Sequence, residues 1–144
     1  MKVLVTGGAG HIGSHIVERL IDRGDEVLVI DNYQTGRRDN LQSHENLSIV
    51  EDSIANTELV CKVFEDFKPE ILVHAAASYK NPGNWTEDVL TNVLGATNLV
   101  KAAQKSDVRR IIYFQTALCY GLKPIEQPIT LKHPYFSGSY SGGS

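Results

Sequence analysis

The chain is poor in the residues that would mark a metalloprotein, a disulfide-stabilised protein or a nucleic-acid-binding protein. It has two cysteines, Cys61 and Cys119, far apart in the sequence, and five scattered histidines. We therefore expect no metal site, and two buried, reduced thiols of the kind found in cytosolic proteins. The 14 basic residues are outnumbered by 17 acidic ones, which gives a formal net charge of −3. Without a basic excess, nucleic acid is not expected as a partner.

Long apolar stretches are also missing. No segment approaches the roughly 20 apolar residues that span a bilayer, and glycines interrupt the first apolar run before it could form a signal peptide. We therefore expect a cytoplasmic protein with no membrane partner. A length of 144 residues with 42% apolar content predicts one domain at most, with a real hydrophobic core.

Glycine is concentrated near the start, within the segment KVLVTGGAGHIGS that begins at Lys2. The apolar run before the glycines predicts a buried strand, and the apolar spacing after them predicts a helix that ends near Arg23. Glycines between a strand and a helix are typical of a dinucleotide-binding turn, where backbone amides and the helix N-terminus meet a pyrophosphate. Two overlapping spacings fit this fingerprint: G-x-G-x-x-G at Gly8, Gly10 and Gly13, and G-x-x-G-x-x-G at Gly7, Gly10 and Gly13.

A second predicted strand, residues 26–30, ends at Asp31, where an acid accepts hydrogen bonds from the adenosine ribose. The polar loop after it contains Arg37 and Arg38. These arginines either contact a phosphate, such as the 2′-phosphate of NADP, or lie on a solvated loop. We favour the solvated loop, because the Asp31 carboxylate would repel a 2′-phosphate, and we therefore expect NAD rather than NADP.

Two further strands end in residues suited to a ligand. Residues 47–51 predict a third strand, followed by Asp52 and Ser53, and Asp52 suits either the adenine amino group or the N-cap of a helix over 57–67. The two roles are compatible. The fourth strand, ILVHAAA from Ile71, ends in small residues that leave room for a cofactor, and we expect His74 to be a packed residue rather than a catalyst.

A long helix is predicted over residues 86–105, opened by a capping box between Asn84 and Glu87. Its apolar surface is wide, which is compatible with a subunit contact in a homodimer. A fifth strand follows over residues 110–115, and residues 135–144 predict no regular element. Five strands alternating with helices indicate an α/β fold with a doubly wound parallel sheet of the Rossmann type.

Six motifs in this order carry a family resemblance: TGGAGHIG, Asp31, Asp52, HAAA, NVLGATNLV and FQTALCYG. Together they resemble the extended short-chain dehydrogenase/reductases, and within them the NAD-dependent epimerase/dehydratase group typified by UDP-glucose 4-epimerase. The phrases AASYK and YFQTALCYG are similar to those of bacterial epimerases of surface-polysaccharide synthesis. The resemblance covers residues 1–134 and implies an NAD-binding Rossmann domain with strand order 3-2-1-4-5, incomplete at its C-terminal side.

The resemblance also implies a substrate and a reaction. A nucleotide sugar, with UDP as the expected nucleotide, would be oxidised to a keto-sugar and reduced again on its other face. Thr116 matches the family's Ser/Thr beside the reacting hydroxyl, and Tyr140 is at the right distance to match its tyrosine base. The residues matched to cofactor contacts are Gly7, Gly10, His11, Ile12, Gly13, Asp31, Asn32, Asp52, Ser53, Ala75, Ala76, Ala77, Lys80 and Asn92.

Two departures from the family pattern modify this expectation. The family's tyrosine is followed four residues later by a lysine that lowers its pKa, but Ser144 stands four residues after Tyr140. Ala117 and Leu118 replace the Asp-Glu pair of dehydratases, which favours an epimerase, with a reductase or decarboxylase as further alternatives. We expect the N-terminal part of an epimerase (a truncated product, an incomplete gene or a constructed fragment) without its substrate domain and with impaired activity. A non-catalytic NAD-binding module is the alternative.

Overall fold

A computed structural model of the chain describes residues 1–79, 81, 83–121 and 124–135. The chain divides into two compact units, Met1–Tyr113 and a second that begins at Phe114. The predicted cofactor domain, residues 1–134, extends across both units, and its boundary stays a prediction. The predicted irregular tail, residues 135–144, lies outside the described residues except for Tyr135.

The first unit contains a five-stranded parallel sheet in the order β3-β2-β1-β4-β5, which confirms the predicted fold class and strand order. The register aligns Val3 of the central strand with Val27 on one side and Ile71 on the other. The strands are β1 (Lys2–Thr6), β2 (Glu26–Ile30), β3 (Leu47–Val50), β4 (Ile71–His74) and β5 (Arg110–Tyr113).

Helices connect the strands. They are α1 (His11–Asp22), α2 (Thr57–Phe67), α3 (Trp85–Asp88) and α4 (Ala96–Gln104), with short 3₁₀ helices at Arg38–Asn40 and Ala117–Tyr120. A π-helix, Val89–Gly95, joins α3 directly to α4. The prediction of one α-helix over 86–105 is therefore wrong in its middle. Apolar spacing could not show this, because a π segment shifts the register of a helix while its apolar face continues.

Side chains alternate between two core layers along the central strands, as the period of two in a strand requires. Val3 and Val5 face one layer, where they pack with Val17 of α1. Leu4 faces the other, where α2 and α4 cover the sheet with Val60 and Leu99 among others. Because helices pack on both faces of the central strands, the ends of these strands are the part of the sheet left open to a ligand. In contrast, β5 is an edge strand whose residues are all exposed, Ile111 to 43%.

The N-terminus is tied to the loop before β2. The Met1 ammonium group contacts Asp25 Oδ1 at 2.9 Å, and Arg23 Nε donates to Asp25 Oδ2 at 2.6 Å. Burial of Asp25 acts to raise its pKa, but the hydrogen bonds from the ammonium group and Arg23 outweigh it and lower the pKa. These contacts fix the start of β1 beside β2.

Several expected features can be compared with the described part of the chain. Cys61 lies exposed on α2 and Cys119 is half-buried, so the prediction of two buried thiols is wrong. Among the described residues, none of the helices has the length and apolar character needed to cross a bilayer. In the same residues, no three His, Cys, Asp or Glu side chains come together in a way that could hold a metal ion.

Candidate cofactor site

A cavity of about 600 Å³ lies along the carboxyl ends of the strands in the first unit. This is the edge at which open α/β sheets bind ligands. All the predicted cofactor residues line it except Asn92, which does not, and Lys80, which lies outside the described residues. Further lining residues, which the sequence analysis did not single out as cofactor contacts, are Ile30, Gln34, Thr35, Ile54, Ser78, Tyr79, Asn81, Asn84, Glu87 and Thr91.

The glycine turn forms the floor of the cavity between β1 and α1. Gly7 has a φ of +72°, which favours glycine, and a Cβ there would lie 2.6 Å from the amide nitrogen of Ala76. A Cβ on Gly13 would lie 2.1 Å from the Gly7 carbonyl oxygen, so Gly13 lets α1 approach the turn itself. Gly10 caps α1 without a side chain, which leaves the first-turn N–H groups for an anion.

Asp31 connects this turn to the loop after β2. Its side chain is buried, with the residue 7% exposed, and Oδ2 accepts from Ala9 N at 2.8 Å while Oδ1 accepts from Tyr33 N at 2.8 Å. Each carboxylate oxygen can accept a second hydrogen bond. Asp31 can therefore hold the turn and still accept from a ligand hydroxyl. Neighbouring Asn32 also lines the cavity, and its Oδ1 accepts from Gln34 N at 3.2 Å.

The two arginines of the same loop are paired with carboxylates. Arg37 donates to Asp39 through Nε at 2.9 Å and Nη2 at 2.6 Å, and Arg38 pairs with Glu51 and lies over the ring of Tyr33. The hydrogen bond from each arginine lowers the pKa of its partner, Asp39 or Glu51. Neither arginine lines the cavity, in agreement with the solvated-loop interpretation.

Asp52 and Ser53 line the cavity at the end of β3. Asp52 Oδ1 accepts from Ser53 N at 2.6 Å, and its Oδ2 accepts from the side chain of Asn56 at 3.2 Å. Asn56, rather than Asp52, caps α2, because its side chain accepts from Leu59 N. The N-cap role considered for Asp52 is therefore wrong, since the loop is longer than a cap at Asp52 requires.

Asn98, a buried asparagine of α4 that the sequence analysis missed, fixes the loop after β3 by hydrogen bonds. Asn98 Nδ2 donates to the carbonyls of Ile54 and Ala55 at 3.0 and 3.3 Å, and its Oδ1 accepts from Thr57 Oγ1 at 3.2 Å. Position 98 is 44 residues from position 54, and the helical pattern predicted only that Asn98 lies on a helix. Its partners depend on how α4 packs, so no local signal could have identified them.

β4 ends at a buried His74, which is a packed residue as predicted. The Nδ1 atom of His74 lies 2.7 Å from the Thr6 hydroxyl, and burial lowers the pKa of the imidazole. Ala75, Ala76 and Ala77 follow β4 and line the cavity, rather than forming the end of the strand as predicted. Their small side chains leave the backbone of this loop accessible, and Ala76 lies against Gly7.

Polar side chains of the helix over residues 85–95 hold the continuation of this loop. Asn92 forms two hydrogen bonds with the backbone of Ser78, and the Ser78 hydroxyl donates to Asp88 at 2.6 Å. Asn84 caps α3 by accepting from Glu87 N, as predicted, but the Glu87 carboxylate accepts from the Thr91 hydroxyl instead of closing a capping box.

The two residues predicted to be catalytic are not part of this cavity as described. Thr116 belongs to the second unit, where its carbonyl accepts from Cys119 N at 3.3 Å. Tyr140 lies outside the described residues. The catalytic roles of both residues therefore stay predictions.

The sheet order, the glycine turn and Asp31 together define a Rossmann-type dinucleotide-binding fold. A family model described as the NAD dependent epimerase/dehydratase family matches residues 3–141. The chain therefore belongs to the NAD-dependent epimerase/dehydratase family, whose members are enzymes, which confirms the family resemblance of the sequence.

Three known proteins illustrate the similarity. The Bordetella bronchiseptica enzyme WbmH, solved in complex with NAD⁺, is 55% identical with a TM-score of 0.88, and the match covers 94% of this chain and 46% of that chain. WbmG from the same organism, solved with NAD and UDP, is 46% identical with a TM-score of 0.86, covering 93% and 43%. The UDP-glucose 4-epimerase of Halalkalibacterium halodurans is 34% identical over 140 residues, 93% of this chain and 40% of that protein. The chain thus spans less than half the length of each.

Proposed function

We propose that this chain binds NAD in the cavity at the carboxyl ends of its strands and serves a nucleotide-sugar 4-epimerase reaction. The observation that carries the proposal is the glycine turn beside Asp31, at a helix N-terminus that no side chain caps. Two similar structures were determined with NAD, and a relative is a UDP-glucose 4-epimerase.

The shape of the glycine turn fits a dinucleotide. Both positions require glycine: a Cβ on Gly7 would collide with the backbone of Ala76, and a Cβ on Gly13 would collide with the Gly7 carbonyl. The positive end of the α1 dipole and its free N–H groups suit a pyrophosphate. A carboxylate on Asp31 suits a ribose diol and disfavours a 2′-phosphate, which supports NAD over NADP.

Each part of NAD has proposed partners around the cavity. Asp52 and Ser53 would contact the adenine, Asp31 and Asn32 the adenosine ribose, and the start of α1 the pyrophosphate. The alanines after β4, together with Lys80, would face the nicotinamide half, and Asn92 would support them through its hydrogen bonds to the backbone of Ser78. When bound, NAD supplies a reversible hydride acceptor, while the protein positions it and excludes water.

The sugar chemistry rests on the family match and on the two residues beyond β5. Thr116 is proposed to hydrogen-bond the reacting hydroxyl, and Tyr140 to take its proton. Ala117 and Leu118 carry no group that could transfer a proton, which supports an epimerase over a dehydratase. Ser144 offers no cation to lower the pKa of Tyr140, so turnover by this chain is expected to be impaired.

Calorimetric titration of the chain with NAD tests the cofactor proposal. Asp31→Ala should weaken binding at least tenfold, because one side chain orders the turn and accepts from the ribose; hydrogen bonds to a charged group contribute about 1.5–3 kcal/mol each. Asp39→Ala removes an exposed carboxylate from the same loop and should leave binding unchanged. Circular dichroism checks that both variants fold.

Three outcomes of this experiment are informative. Failure of the folded wild-type chain to bind NAD would overturn the proposal, and equal losses in both variants would contradict the role of Asp31. The same preparations are then assayed for interconversion of UDP-glucose and UDP-galactose. NAD binding without any interconversion would favour the alternative of a non-catalytic NAD-binding module for this chain.

A further inference from the structure

The loop after β2 wraps around the glycine turn and contacts it at Ala9. We name residues 31–41 the β2 strap. Ala9 is fully buried between Gly8 and Gly10. Its N–H donates to Asp31 at 2.8 Å, and its carbonyl accepts from the Asn40 side chain at 2.8 Å and from Arg37 N at 3.0 Å. The strap thus holds both ends of one residue inside the turn.

We propose that Asn40 is a positioning residue for the pyrophosphate of the bound dinucleotide. It does not line the cavity, so it acts through the Ala9 carbonyl. Fixing that carbonyl fixes the peptide plane that leads into Gly10 and the start of α1, whose N–H groups meet the phosphates. The inference rests on the proposed function, because it concerns the same site.

Asn40 suits this role because it is exposed and contributes little to the core. The group that faces the Ala9 carbonyl must be a donor, so the amide nitrogen of Asn40 is the atom in contact. The contact joins residues 31 positions apart, and neither the glycine fingerprint nor the acid at Asp31 indicates it. Because the exposed Asn40 adds little to the core and its hydrogen bond lies beside the ligand site, we assign that bond to positioning the turn rather than to folding.

The close approach of the strap is a second, independent observation. A Cβ on Gly36 would lie 2.9 Å from Ala9 Cβ and 3.0 Å from Asp31 Oδ1. Glycine at this position therefore lets the strap approach Ala9 closely enough for Asn40 and Arg37 to reach its carbonyl. The exposed ion pair between Arg37 and Asp39 contributes little by itself.

The test compares ligands with and without a pyrophosphate. Asn40→Ala in the 144-residue chain should weaken NAD and ADP-ribose binding about fivefold, the worth of one hydrogen bond. Adenosine binding should stay unchanged, because adenosine does not contact the start of α1. A merely structural role would lower the affinity for all three ligands together. Asp39→Ala, on the neighbouring residue, is the matched control.

A second variant removes the donor without changing the size of the side chain. Asn40→Asp should weaken NAD binding more than Asn40→Ala, because a carboxylate would face the Ala9 carbonyl. Gln42→Glu adds the same charge at an exposed position two residues along and controls for the charge alone. If the wild type binds NAD and both Asn40 variants bind it just as tightly, this inference is overturned while the proposed function stands. Absence of NAD binding by the wild type would overturn the proposed function and this inference with it.

Discussion

His74 is a buried titratable residue at the end of β4. The imidazole is buried beside Thr6 and the Tyr113 ring, and burial lowers its pKa below the ordinary value of 6.5. As the pH falls through about 6.5, the unfolded chain takes up a proton at this position that the folded chain refuses. The stability that neutral His74 contributes is therefore present above that pH and is lost progressively below it.

This linkage predicts the behaviour of one variant. His74→Asn keeps a polar atom near Nδ1 but does not titrate, so its free energy of unfolding should fall less than that of the wild type between pH 7 and pH 5, the range below the ordinary histidine pKa of about 6.5. Urea unfolding at a series of pH values measures this. His44→Asn, at an exposed histidine, controls for the loss of one imidazole. Equal pH dependence in wild type and His74→Asn would refute the role of His74.

Single residues were predictable where backbone geometry or position dictates their type. Gly7 and Gly13 had to be glycines because any Cβ would collide with the turn, and Asp31 had to follow β2 to reach it. In contrast, Asn40 and Asn98 were not predictable as contacts, because their partners are 31 and 44 residues away in the sequence. Only the folded arrangement brings these pairs together.

At the scale of elements, the π-helix packs closely against the loop after β3. A Cβ on Gly95 would lie 2.5 Å from Ile54 Cγ1 and 2.6 Å from its Cδ1. Ile54 is a buried core residue and also lines the cavity. The close approach of this helix therefore helps to place the loop that carries Asp52 and Ser53.

Two opposing effects decide what Gly95→Ala does. Overpacking against Ile54 should cost about 1–3 kcal/mol, whereas alanine is favoured over glycine inside a helix by about 1 kcal/mol. We expect a net loss of stability in the wild-type background. In an Ile54→Ala background the obstructing atoms are gone, and Gly95→Ala should become stabilising by up to about 1 kcal/mol.

Urea unfolding of the four chains in this double-mutant cycle measures the coupling. The Ile54→Ala chain alone is expected to lose about 2–4 kcal/mol from its cavity, which sets the reference for the double variant. A similar effect of Gly95→Ala in both backgrounds would show that Ile54 does not determine the need for glycine here. The element boundaries were predicted within a few residues, but this π segment was not, because the apolar face of the helix continues through it.

At the scale of the molecule, alternating strands and helices were enough to predict the parallel sheet, and the family resemblance implied its order. Connections between parallel strands are almost always right-handed, which leaves few topologies for such an alternation. The division at Phe114 was not predictable in this way, because the residues after β5 carry neither strand nor long-helix periodicity. The sites in the second unit therefore depend on the family match alone.

The helix over residues 85–104 presents an apolar surface that the first unit does not cover. Trp85, Val89, Val93 and Val100 are exposed, Val93 to 59%. Contiguous exposed apolar side chains commonly mark a contact with another protein. The homodimer considered from the sequence stays a prediction, and this surface is where we expect it to form.

Val93→Glu places a charge in the middle of this surface and should weaken self-association, because the carboxylate would lose water in the contact. Sedimentation velocity at rising concentration should show the wild type shifting from monomer to dimer and the variant remaining monomeric over the same range. Ile125→Glu makes the same exchange at an exposed apolar residue of the second unit and should behave as the wild type. A wild type that stays monomeric throughout, or a Val93→Glu variant that dimerises equally well, would exclude this surface as the dimer contact.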